Sequence, residues 1–326
     1  ISTVDTASDV DGRAGGGGLG GSATATLIKT TTSTSVLTQV GSTGSVVSTN
    51  DIQVASDVLS SATGTATAMN FSLGASVGIV DLEVKDKPDI DTTIRGDLTS
   101  STGNVIVRAG HNYDAANTTF VADLGASASS EMLAVSLGAS IGATTMDADA
   151  TANTDATVLS SATLFASGFV SVDARANNEA TAKMKNDVCA AVRASSGTPA
   201  AKANGTTRAR LIGNVSDGSG GSGAASIIVT AEGVDTSTAG SSTSGGGVVT
   251  VGATTVRAKA DPDIDAEGGG VLRSSGSITI QARSTTDADT SSTSDSYGAV
   301  EITNLDAAAS ADPDIDATVS DDAVLV

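Results

Sequence analysis

The chain of 326 residues has no tryptophan, four phenylalanines, two tyrosines, one histidine (His111) and one cysteine (Cys189). Without aromatics, a core has to be assembled from Ala, Val, Ile, Leu and Thr, small and β-branched side chains that suit close stacking of sheets better than a bulky globular centre. The same shortage removes the aromatic platforms on which carbohydrate-cleaving β-helices hold sugars. No serine or cysteine motif accompanies His111 as a base, so an enzyme is not expected. A lone cysteine excludes an internal disulfide framework, and between Val188 and Ala190 it reads as a buried small hydrophobe. No apolar run reaches about 18 residues, which excludes a membrane-spanning helix. Basic residues are scarce too: 17 Lys and Arg face 37 Asp and Glu, for a net charge of −20. That balance excludes nucleic acid as a partner, because phosphates need a basic patch. It fits an extracellular or cell-surface protein whose acidic surface binds cations or resists aggregation. No signal peptide is visible and the chain starts at Ile1, as expected of a processed product or a fragment.

What the chain does contain is Ser and Thr (88 residues), Gly (37) and short apolar alternations. One theme recurs: S-T-V-D-T at 2–6, I-Q-V-A-S at 52–56, V-I-V-R-A at 105–109, V-S-V-D-A at 170–174, I-I-V-T-A at 227–231 and I-T-I-Q-A at 278–282. Its central residues, Val4, Val54, Val107, Val172, Val229 and Ile280, are spaced by 50, 53, 65, 57 and 51. After each theme comes a polar outbound stretch, a Gly-rich or Ser-rich bend, and an alternating return such as S-L-G-A-S-V-G (72–78) or S-L-G-A-S-I-G (136–142). Period-2 alternation reads as strand. Pro88, Pro262 and Pro313 share one phase of the unit, where a residue that cannot donate to a ladder marks a bend or a strand start.

Repeated strand units with polar turns form a β-solenoid, and the handedness rule for parallel crossovers makes it right-handed. The expectation is an all-β protein: a right-handed parallel β-helix of about six long rungs. It would be a single solenoid over 1–326 with units of 50–65 residues, at approximately 1–50, 51–103, 104–168, 169–225, 226–276 and 277–326. One long rung per unit is favoured over two shorter ones. Units of the form G-S-I-T-I-Q-A-R-S (276–284) followed by G-A-V-E-I (298–302) resemble the repetitive regions of large secreted bacterial adhesins of the filamentous-haemagglutinin-like type. The resemblance implies a right-handed parallel β-helix, secretion and a structural or adhesive role, and it brings no catalytic residue. The calcium-binding nonapeptide of RTX toxins is absent, and the Gly-rich run at 15–21 lacks the ending of a phosphate loop, so a flexible turn is the better reading.

The acidic run D-P-D-I-D-A occurs at 261–266 and 312–317, with K-P-D-I-D-T at 87–92. If Ile264 points inward, alternation sends Asp263 and Asp265 to solvent. Stacked rungs then bring Asp89, Asp91, Asp263, Asp265, Asp314 and Asp316 into ladders, which either stay solvated or hold Ca²⁺ as the one candidate cofactor. A counterweight is the basic patch Lys183, Lys185, Arg193, Lys202, Arg208 and Arg210, able to pair across rungs or with a neighbouring fibre. The ends are in phase and neither reads as a cap, so Ile1, Val4, Val324 and Val326 are expected at an end-to-end interface. The protein's partner would then be itself, in a head-to-tail homopolymer or a tandem continuation. The function expected is an extracellular structural fibre; the alternative is the stalk of a surface adhesin with a separate tip.

Overall fold

The structure, a computed structural model, describes residues 1–216 and 223–326. It is a parallel β-solenoid of six coils, one coil per sequence unit, with four faces. The long face stacks strands Ser2–Gly18, Ile52–Ser72, Val105–His111 continued by Ala126–Ser136, Phe169–Cys189, Ala224–Gly246 and Ser274–Tyr297. A return face stacks the 12-residue strands Gly21–Thr32, Ala75–Asp86, Ala139–Ala150, Val192–Ala203, Val249–Ala260 and Val300–Ala311. A third face stacks six-residue strands, among them Asp89–Ile94, Thr206–Leu211, Asp263–Gly268 and Asp314–Val319. A short closing face, including Asp97–Ser100 and Thr163–Ala166, leads back to the long face.

The spacing along each coil is strict over one stretch and loose over another. From the last residue of each long strand to the first of the third-face strand is 17 residues in all six coils, as in Ser72 to Asp89 or Tyr297 to Asp314. Two-residue turns join these strands, so the long, return and third faces hold one register from end to end. Length varies at the corners flanking the closing face and in the third coil, where 112–125 interrupt the long strand. The theme columns form as expected: Val54 pairs with Val107, Val107 with Val172, Val172 with Val229 and Val229 with Ile280. The first theme departs from this. Val4 pairs with Val58, 54 residues away, so it belongs to the column of Val58 and His111. A slip of four residues preserves side-chain parity, and alternation alone cannot detect it.

Alternation also fixes what faces inward. Ile90 and Ile264 are fully buried while Asp263 is exposed. The prolines sit in the bend between return and third faces: Lys87 and Asp89 donate across the coils on either side of Pro88, and Asp261 and Asp263 on either side of Pro262, so the missing N–H breaks no ladder bond. Cys189 corrects the sequence expectation. Val188 before it is buried, so parity turns the thiol outward, and it is exposed.

The interior holds two separate cores. Where the long, third and closing faces meet, the filling is branched aliphatic, with Val107, Val172, Ile90, Ile264, Leu98 and Leu164. Where the long and return faces lie directly on each other, it is mostly Ala and Met, with Ala66, Ala128, Ala182, Ala148, Met132 and Met184. In this thin region a long side chain on one wall lies over a glycine on the other. A Cβ on Gly142 would sit 2.5 Å from Met132, one on Gly64 2.7 Å from Val84, and one on Gly197 2.1 Å from Met184. Between the two cores runs a polar layer made of Ser60, Asp86, His111, Asn112, Asn178 and Asp235.

Candidate functional site

The third face carries the acidic run in register: Asp263 pairs with Asp314 and Asp265 with Asp316. The fourth coil places Arg208 and Arg210 beside them, paired with Asp265 and Glu267. Arg208 Nε lies 3.3 Å from Asp265 Oδ2, and Arg210 reaches Asp265 and Glu267 at 3.3 Å each. The basic residues here pair across coils. Asp89 and Asp91 stand apart from this network, because the column that contains Asp91 continues through Asp155 and Arg208 before reaching Asp265. The six aspartates therefore divide into two groups. A shallow groove beside the first is lined by Asp89, Asp91 and Asp155. Partial burial, and after it the charges of Asp89 and Asp155, push the Asp91 carboxyl above its ordinary range. Among the described residues, no set of three or more His, Cys, Asp and Glu side chains converges as a metal site.

The predicted basic patch is not one patch, because residues 183–210 cross three faces. Lys183 and Lys185 stand on the long face, where Lys185 meets Glu131 at 2.7 Å. Lys202 lies on the return face and Arg208 and Arg210 on the third. Arg193 is inside the solenoid at 1% exposure, donating to the Gly245 carbonyl at 3.0 Å and to Ser195 Oγ at 3.3 Å. Its burial without a close carboxylate pulls its pKa down. The four terminal residues are found at opposite ends. Val4 packs on the wide core of the first coil, whereas Val324 pairs with Val271 and Val326 is bonded to the fifth coil through Leu272 and Ser274.

His111, Ser60 and Asp86 do come together. Ser60 Oγ lies 3.0 Å from His111 Nε2 and donates to Asp86 Oδ2 at 2.9 Å. The carboxylate is on the same ring nitrogen as the serine, at 3.8 Å, and Nδ1 has no partner. A catalytic triad needs the acid on the other nitrogen and an open nucleophile; all three groups here are at most 1% exposed. The arrangement belongs to the polar layer. Its neighbour Asp235 accepts from Asn178 Nδ2 at 2.8 Å, and burial raises its pKa to about 7.

The insertion in the third coil is the one place where the long strand is broken. Asn112, at φ 48°, replaces the lost ladder: its amide oxygen accepts from the Ser60 N–H at 2.9 Å, and its nitrogen donates to the carbonyls of Ser60 and Asn177. The hairpin beyond it, Tyr113–Asp114 against Thr119–Phe120, packs its two rings edge to face at 5.4 Å, with the Arg175 guanidinium 5.0 Å from the Tyr113 ring. At its foot is a polar cleft of about 250 Å³ lined by Asp123, Glu179, Thr181 and Lys183. The 65-residue unit length signalled an insertion, but alternation did not show where it lay.

The second feature the sequence did not disclose is an apolar edge where the long face turns into the return face. Leu19, Leu73 and Leu137 occupy equivalent turn positions in the first three coils and line one groove with Phe71 and Val135. On the return face, Val192, Val249 and Val300 form one outward column, and Val77, Ile141, Val251 and Ile302 belong to the next. No family model, curated protein or solved structure matches the chain.

Proposed function

We propose that the protein is a structural rod at or outside a microbial cell surface, working by mechanical extension and end-to-end association. The observation that supports this is the constancy of the cross-section. All six coils keep the same 17-residue interval across the return face, and the first and sixth coils each have one side without a strand neighbour. A further coil set in the same register below the sixth would place a Val36-type residue under Ile315 and a Val46-type residue under Leu325. Apolar inward columns and ladder bonds would then continue, which is the contact a heterologous, non-closing interface requires. The variable segments, the corners and the third-coil hairpin, lie off these faces.

Electron microscopy of the chain at rising concentration tests the reading. Filaments with an axial repeat of roughly 29 Å, six coils at ~4.8 Å each, are expected. Ile315→Asp with Leu325→Asp, which charge the free side of the sixth coil, should shorten or abolish them. Dispersed particles of single-chain length at every concentration would refute end-to-end association. The filamentous-haemagglutinin-like pattern of the units favours a second reading, an adhesin stalk whose coils continue covalently into a tip; a longer parent chain with uninterrupted units would support it.

A further inference from the structure

The apolar edge is long, straight and free of charge. From the column of Phe71 and Cys189, around the two-residue turn, to the return-face column of Ile79, no outward position in any of the six coils is Asp, Glu, Lys or Arg. The first charges beyond it are Asp187 and Asp295 on the long face and Asp81 and Asp306 on the return face. Its large side chains are open to solvent: Leu19 is 84% exposed, Leu137 73% and Ile302 62%. Six coils at ~4.8 Å and about six residues of width at ~3.3 Å give roughly 600 Å² before side-chain relief. That lies at the upper limit of what a monomer ordinarily exposes in one patch. It also approaches the ~800 Å² that each partner contributes to a stable interface.

We propose that this edge is the lateral interface between two copies of the chain. Two observations select a second copy as the occupant. The first is charge. With a net charge of −20, copies repel through their acidic faces, and this edge lets them meet without bringing like charges into contact. The second is the size profile of the turn. Its first position reads Leu19, Leu73, Leu137, Ala190, Gly247, Gly298 down the coils, large then small. Its second position reads Gly20, Gly74, Gly138, Ala191, Val248, Ala299, small then larger. The edge is therefore self-complementary. With the two solenoids antiparallel, each turn position meets itself in reverse order, so Leu73 faces Gly247 and Val248 faces Gly74. With them parallel, the two positions exchange, so Leu73 faces Gly74. Either two-fold pairing seats a leucine ridge in a glycine groove at the common coil spacing, as an isologous contact requires. A partner without this repeat would lose the fit after one or two coils.

The pairing does not depend on end-to-end growth, and the test separates them. Sedimentation equilibrium on the whole chain should give a dimer. Leu73→Asp with Leu137→Asp should weaken it more than tenfold and leave the thermal midpoint unchanged, since both side chains point to solvent. Ile315→Asp with Leu325→Asp should leave the dimer intact while removing any longer oligomers. Cys189 supplies a second reading, because it stands on this edge. A bis-maleimide should give a covalent dimer through Cys189 in the native chain, and far less in the double-leucine variant, which keeps the thiol. Across an end-to-end contact the two thiols are a whole chain apart, ~29 Å along the axis, so that contact gives no short cross-link. A monomer at all concentrations overturns the proposal, as does association or Cys189 cross-linking that the leucine substitutions leave untouched.

Discussion

The wide and thin regions of the solenoid interior obey the same alternation and yet are filled differently. Three walls enclose the wide region, and Ile90, Ile264, Val107 and Leu164 fill it with branched side chains. Only a pair of walls, lying face to face, bounds the thin region, and there a large residue on one wall is accommodated by a small one on the other, as Met184 is by Gly197. Parity decides which side chains point inward, but the distance between walls decides how large they can be. The first is a property of one strand and the second of two strands far apart in sequence. The polar layer marks the line where one regime gives way to the other.

If that distinction is correct, the two regions should fail in opposite ways. Ile264→Ala, which empties a fully buried site in the wide region, should cost about 2–5 kcal/mol of unfolding free energy. Ala148→Gly in the thin region should cost no more than about 1 kcal/mol. Enlargement reverses the order: Gly64→Val, pressed against Leu82 and Val84, should cost about 1–3 kcal/mol. Urea titration of the three variants checks this. Equal losses for Ile264→Ala and Ala148→Gly would show that wall separation does not matter.

The boundary itself should respond to pH. Burial raises the Asp235 carboxyl from an ordinary 3.8 to about 7, with the Asn178 hydrogen bond acting in the opposite direction. The folded state therefore holds a proton that the unfolded chain has released. The contribution to stability is full below about pH 4, falls as pH rises from there, and is lost once pH has passed through 7. At about 1.4 kcal/mol for each pH unit between the two values, the loss is at most about 4 kcal/mol. Asp235→Asn should be more stable than the native chain at pH 8, with the advantage gone at pH 4. Parallel slopes of midpoint against pH for the two proteins would contradict the assignment.

Much of this architecture was legible in the sequence because it rests on local parity and on self-similarity. The six units, one coil each, the inward Ile264, the outward aspartates and the bend at Pro88, Pro262 and Pro313 all follow from those two signals. What failed needed information of another kind. The slip of Val4 by four residues leaves parity unchanged and becomes visible only against Val58. Cys189 has apolar neighbours, yet the burial of Val188 sends it outward. Arg193 is basic in composition but inward by parity, and composition was the wrong guide. The patch from Lys183 to Arg210 was contiguous in the chain and divided in space, since the chain turns two corners on the way. The apolar edge is the converse: two residues from each of six turns, unremarkable singly, become a surface only once the coils are in register.

The smallest effect tests the opposite side of the molecule, where charge replaces apolar surface. Down the third face one outward column reads Leu37, Asp91, Asp155, Arg208, Asp265, Asp316. Arg208 is the only cation in that column, and it separates two pairs of carboxylates. Arg208→Glu would make five acids in succession at ~4.8 Å, each adjacent pair repelling by about 1 kcal/mol in water. Solvent exposure and side-chain freedom reduce this, so a loss of about 1–2 kcal/mol is expected at low ionic strength. Most of it should return in 1 M NaCl, where the screening length falls to about 3 Å. Arg208→Ala should lose less than Arg208→Glu, since it removes attraction without adding repulsion. The apolar edge should show the reverse dependence, its dimer growing stronger as salt rises, because screening relieves the mutual repulsion of two chains of charge −20. A salt series on the Arg208→Glu and Leu73→Asp/Leu137→Asp proteins therefore separates the two sides. Third-face destabilisation that survives 1 M NaCl would mean that Arg208 acts through packing rather than charge.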